Sequence, residues 1–144
     1  MTTLDQSTLS ILRALFGMGF LTIGIAIWMT VTRMPAMKRA NLAFEDAAHT
    51  SDLRAKLPSS VQRIGDNYNH LFEAPTLFYA TALAIIVAGL ADPIHAACAW
   101  AFLASRVLHS LVQATFNHVP TRVVFYTLSW LALATMVVRG ALSL

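Results

Sequence analysis

Charge is what this chain has least of. Of its 144 residues only 10 are Lys or Arg and 7 are Asp or Glu, 12% in all against 57% hydrophobic. Soluble domains carry about 25% charged residues. With a mean hydropathy of +0.62, the shortage excludes an ordinary soluble domain. It points to an integral membrane protein with room for four apolar helices and none for a large soluble domain. Cysteine is scarcer still: Cys98 is the only one. No intrachain disulfide can form, and the apolar surroundings of Cys98 are those of a packing residue rather than a nucleophile. A metal site lacks its parts, because His70 and Glu73 have ligand-like spacing but no second pair of ligands matches them. The excess of charge, +3 overall, lies mostly in one connecting segment. It therefore speaks to membrane topology and not to nucleic acid. No internal repeat or low-complexity tract is present.

What the chain does have is apolar length. The run Ala14–Val31 is 18 residues long, beyond a usual signal-peptide core, so it reads as a span and not as a cleaved leader. The first helix is predicted over about 8–33, with Arg13 and Arg33 snorkelling at its ends and Met34-Pro35 closing it. A polar connection follows over about 34–58, carrying Lys38, Arg39, Arg54 and Lys56 against Glu45, Asp46 and Asp52. It is expected at the membrane surface, with a short helix around Asn41 to His49. The second helix is predicted over about 59–90. Ser59 and Gln62 have capping-box spacing at its start, and Pro75 removes the donor for the Leu71 carbonyl and kinks it beside Glu73. Asp92-Pro93 is a tight turn. The third helix covers about 94–116 and the fourth about 120–139, with Pro120 at the fourth helix's first position. Four spans leave both termini on one side. The basic connection, and Arg122 near the last turn, put that connection in the cytoplasm and the termini outside. The expected fold is an all-α, left-handed, up-down four-helix membrane bundle.

Small residues recur every four positions, as Ala80, Ala84 and Ala88 and as Ala97, Ala101 and Ser105. Such rows admit close helix packing within a bundle or between subunits.

The few charges that do occur lie inside the spans. Hydrocarbon penalises each by at least ~2.5–3.5 kcal/mol at a helix centre, so they are expected to face each other, a polar cavity or a ligand. Arg63, Asp66, His70 and Glu73 are spaced 3, 4 and 3 apart, which puts them on one face of the second helix with Asn69 beside them. Arg106, His109 and Gln113 form a second stripe, and Arg122 with Tyr126 a third. All three lie toward the cytoplasmic half and are expected to meet in one charged cavity. A buried Glu73–Arg106 pair would neutralise both partners. Arg63 and Arg122, near helix ends, can instead snorkel. His95 and His49 read as surface residues.

These residues also carry a resemblance. Arg63-Ile-Gly-Asp-Asn-Tyr-Asn-His-Leu-Phe-Glu-Ala-Pro-Thr-Leu-Phe-Tyr-Ala80 resembles the helix 2 signature of the MAPEG superfamily (membrane-associated proteins in eicosanoid and glutathione metabolism), in particular its bacterial branch. Arg106-x-x-His109, with Pro120-x-Arg122 sixteen residues after Arg106, is similar to the helix 3–4 region of the prostaglandin E synthase members. The resemblance covers nearly the whole chain. It implies a homotrimer in a bacterial inner membrane that binds glutathione between protomers near the cytoplasmic side and takes a lipophilic electrophile from the bilayer. Arg122 matches the arginine that holds the thiol as thiolate. Glu73 matches the glutamate that binds glutathione's amino end, and Arg106 and His109 match positions lining the site. Arg63, Asn69, His70, Gln113 and Tyr126 complete the candidate binding set.

The chain departs from the family pattern at four places. Asp66 stands where glutathione-using members have an arginine, His70 where they have asparagine, Gln113 where they have tyrosine and Val123 where the prostaglandin synthases often have serine. Two functions remain open on this reading. One is a transferase or peroxidase using glutathione or another small thiol. The other is a non-catalytic lipid-binding protein or accessory subunit of a larger membrane complex, as the family's lipoxygenase-activating protein is not an enzyme. A transporter ranks last, since no inverted repeat is visible.

Overall fold

The computed structural model describes residues 4–43, 45, 53 and 56–144. Among them lie five helices: α1 (Gln6–Arg39), α2 (Ser59–His70), α3 (Ala74–Val87), α4 (Pro93–Ala114) and α5 (Val119–Leu142). Helices α2 and α3 are the predicted second span, interrupted over residues 71–73. Three stretches are long and apolar enough to cross a membrane: Gln6–Arg39, Ser59–Val87 and Val119–Leu142. Helix α4, with 22 residues, is about 33 Å long and also reaches across ~30 Å of hydrocarbon. The protein is an all-α membrane bundle of four helices, the second one broken.

The first helix is longer at both ends than its apolar run. Asp5 caps it, accepting from the Thr8 N–H at 2.9 Å and the Thr8 hydroxyl at 2.7 Å, which is the usual answer to unpaired first-turn donors. At the other end the helix does not stop at Met34-Pro35. Proline's fixed φ fits a helix and costs one hydrogen bond, that of the Val31 carbonyl. Burial offsets the loss: Ala36 and Met37 pack with Leu53, Leu57 and Val61 in a small second core. Helix α1 ends instead at Arg39, and Asn41, two residues on, lies in the left-handed region at φ 53°. There the Leu42 N–H reaches the Met37 carbonyl at 3.0 Å and the Asn41 N–H reaches Lys38 at 3.2 Å, a Schellman cap. The short helix expected around Asn41 to His49 lies, apart from residues 41–43 and 45, outside the described residues.

Side chains from every span fill the main core: Ile11, Ala14, Met18 and Ile25 from α1, Phe78, Ala82 and Ile85 from α3, Ala99 and Phe102 from α4, and Leu133 and Met136 from α5. The Phe78 and Phe102 rings stack with centroids 4.4 Å apart. Gly17 lets α1 approach α4, since a Cβ there would lie 2.6 Å from Leu103 Cδ2. Phe16, Phe20, Ile23 and Ile27 of α1 point outward, a face that lipid covers at no cost. The alanine rows point outward too. Ala80, Ala84, Ala88, Ala97 and Ala101 are exposed and only Ser105 is buried, so these rows do not hold the protomer together.

The end of the bundle that carries both termini is closed by Asp92. Its side chain accepts from the His95 N–H at 2.8 Å, capping α4, and from Arg139 Nε of α5 at 2.7 Å. The guanidinium and the capping bond hold the Asp92 carboxyl at about 2, below its ordinary value. His95, expected at the surface, is 1% exposed. It sits one turn after its capping aspartate, with Nδ1 3.1 Å from Asp92 Oδ1. Position 49 lies outside the described residues.

Candidate functional site

The break in the second span shapes the site. Pro75 supplies no N–H, and α2 ends at His70 while α3 begins at Ala74. Glu73 becomes the residue that precedes α3, with φ −92° and ψ −103°. Its own carbonyl is taken by the Thr76 hydroxyl at 2.6 Å and the Thr76 N–H at 3.2 Å. The carbonyl of His70 keeps only a long 3.5 Å bond from the Glu73 N–H. Arg106, fully buried on α4, donates its Nη2 to that oxygen at 2.8 Å. A buried cation thus satisfies a backbone group that the helix break leaves under-bonded.

The expected Glu73–Arg106 ion pair is therefore corrected. The kink turns the Glu73 carboxylate outward, where it is half exposed, and His70 Nδ1 lies 3.0 Å from it. Arg106 reaches the main chain of the same His70 from the inside. The two charges are linked through one residue without touching, and Nε and Nη1 of Arg106 have no partner among the described residues.

The three polar stripes do meet. A cleft of about 280 Å³ is lined by Arg63, Asp66, Asn69, His70 and Glu73 of the second span, Gln113 of α4, Asn117 of the turn and Arg122 of α5. Arg106, His109 and Tyr126 stand behind this wall. His109 is buried; its Nδ1 donates to the Arg122 carbonyl at 3.0 Å and its Nε2 lies 3.0 Å from Gln113 Oε1. A neutral ring donates from one nitrogen only, so turning the Gln113 amide lets Nε2 accept. The Tyr126 ring packs on the His109 ring, centroids 6.1 Å apart. The imidazole thus fixes the start of α5 and, with it, Arg122.

Two groups escaped the sequence reading. Asn117 falls between the predicted third and fourth helices. It sits in the left-handed region at φ 55°, accepts from Arg122 Nη1 at 2.7 Å, and so aims the guanidinium. An asparagine just past a helix end, five residues before a cleft arginine, was the available signal. Asn67, fully buried with neither end of its amide partnered among the described residues, lies four residues after Arg63 and three before His70, a spacing that puts it beside the stripe. Arg33 does not snorkel freely either. A Cβ on Gly65 would lie 2.7 Å from its guanidinium, so this half-buried side chain rests on α2. Gln62, instead of completing a capping box, donates to the Leu57 carbonyl at 2.6 Å. Among the described residues, no three His, Cys, Asp or Glu side chains are grouped to hold a metal ion.

The model of the MAPEG family matches residues 11–142. The chain belongs to the MAPEG family. No curated protein and no solved structure matches it. MAPEG membership makes this a membrane protein of the eicosanoid and glutathione metabolism group, a family generally oligomeric in the membrane. The cleft of this MAPEG chain fits an anionic thiol in its donor set. Arg63 and Arg122 both line it, and each has a buried Nε that no group among the described residues accepts from. Two guanidiniums with donors to spare suit carboxylate or thiolate, and Glu73 suits an amine. Asp66 is the element that suits neither.

Proposed function

We propose that the protein is a transferase or peroxidase that uses glutathione or another small thiol on lipophilic electrophiles. The observation that carries this reading is the placement of Arg122: held by Asn117, backed by His109, and turned into a polar cleft at one end of an otherwise apolar bundle. Bound there, glutathione supplies the nucleophilic sulfur. Arg122 lowers the proton affinity of a thiol beside it, and a free thiol's pKa of about 8.5 leaves room for a large gain in thiolate at neutral pH. Arg63 takes a carboxylate, Glu73 the amino end, and Asn69 and His70 the polar backbone of the peptide. Arg106, His109, Gln113 and Tyr126 position the walls. The electrophile partitions from the bilayer. The cleft faces the cytoplasm of a bacterial inner membrane, the termini lie on the other side, and three copies assemble through the outward alanine rows.

The test is a thiol-transfer assay on the purified protein with glutathione and an aryl chloride. Arg122→Leu should lose about 10- to 100-fold in rate while its far-ultraviolet circular dichroism and oligomer size stay unchanged. Full activity in that variant removes the assignment.

A second reading has one observation in its favour. Asp66 puts a carboxylate into the cleft, where a tripeptide with two carboxylates needs cations. A lipid-binding or accessory subunit has no such need. Calorimetry with glutathione separates the two: no binding heat, together with stoichiometric co-purification of other membrane subunits, favours the accessory role.

A further inference from the structure

We infer that the protein carries a second ligand site, for the headgroup of an anionic phospholipid, where α1 leaves the membrane and α2 begins. The site lies apart from the thiol cleft and is independent of its assignment.

The argument starts from length. Helix α1 has 34 residues, about 51 Å, where ~20 residues suffice for the hydrocarbon. Its apolar run ends at Val31 and its first cation beyond is Arg33. The turns past Arg33 therefore stand at headgroup level, on the side of the basic connection. A cleft of about 560 Å³ opens there between the end of α1 and the start of α2. Arg39 and Lys56 line its polar part, with Ser60. Both cations are exposed, whereas Val61 in the opposite wall is buried. Below them the lining turns apolar, with Val31, Pro35 and Val61.

The first turn of α2 adds to this field. Its preceding residue is Pro58, and no side chain caps the helix. The Pro58 carbonyl takes the N–H groups of Val61 and Gln62, and the first turn holds no acidic residue to offset the dipole's positive end. Cations at the top and aliphatic carbon beneath are the pattern of one phospholipid: a phosphate between Arg39 and Lys56, accepting from the Ser60 hydroxyl, and an acyl chain lying along Val31 and Pro35. A free phosphate uses the upper half only and gains nothing from the lower. Basic pockets between spans at the anionic membrane face hold lipid headgroups by this division of labour.

The experiment is native mass spectrometry of the full chain, titrated in mild detergent with phosphatidylglycerol or with phosphatidylcholine. The wild type should retain phosphatidylglycerol in preference. The double variant Arg39→Gln, Lys56→Gln should lose that preference by roughly tenfold. Lys38→Gln, on the far side of Pro35 from the cleft, controls for loss of charge alone and should keep it. Val31→Asn, at an exposed position of the apolar lining, keeps both cations and should weaken retention of the lipid without changing the helix content. Equal retention of the two lipids by the wild type overturns the proposal. So does unchanged preference in the double variant, an equal loss in Lys38→Gln, or displacement of the lipid by millimolar inorganic phosphate.

Discussion

Asp66 is the side chain on which the chemistry of the cleft turns. It shares the cleft with Arg63, Glu73 and Arg122, so the formal charge of the four is zero and Asp66 offsets one of the two guanidiniums that suit an anion. Replacing it by arginine supplies the cation that glutathione-using MAPEG members have at this place. Asp66→Arg is expected to raise glutathione affinity by up to about fivefold, the effect of one added ion pair, read by calorimetry. If the variant binds no better, the carboxylates of the tripeptide do not lie near this position. Arg122 behaves differently under a conservative change. Arg122→Lys retains charge but not the fork that Asn117 grips, so it is expected to keep part of the activity that Arg122→Leu loses. The candidate list was legible in the sequence because each of its members is expensive in a membrane span. Asn117 was not, because an asparagine in a turn has a sufficient local reason to be there.

The interrupted second span decides where the polar groups point. Spacing placed Arg63, Asp66, His70 and Glu73 on one face, and it located the disturbance at Pro75. It treated the disturbance as a kink, whereas the helix stops and restarts, and that difference moves Glu73 outward and away from Arg106. Pro75→Ala returns an N–H to the Leu71 carbonyl. This variant is expected to gain helix content by circular dichroism and to lose about tenfold or more in thiol transfer, as His70 and Glu73 rotate together. Unchanged activity with gained helicity means that the break does not set the cleft. The end of α1 shows the opposite error. A proline in the sequence argued for a stop, and a small core formed by residues far along the chain carried the helix past it. No local pattern contains Leu53 or Val61, so that extension was not there to be read.

Across the whole molecule, polarity is divided between two ends. The cleft occupies one, and the clamp of Asp92 on Arg139 and on the first turn of α4 closes the other. Because the Asp92 carboxyl is held at about 2 in the fold, below its unfolded value near 3.8, the clamp adds stability that is fully present above about pH 4. That contribution is lost as the pH falls through 2. The melting temperature of Asp92→Asn is therefore expected to lie below that of the wild type at pH 6 and to converge with it near pH 2. A constant difference across that range shows that the charge of Asp92 does not matter. At the opposite end, Arg106 binds a main-chain oxygen of residue 70, which any amino acid there would supply. Framework and reactivity can thus be varied separately. Exchanging the imidazole at position 70 for another side chain alters the lining of the cleft while the buried guanidinium keeps its acceptor, so a lineage can change what the cleft accepts without rebuilding the bundle that holds it.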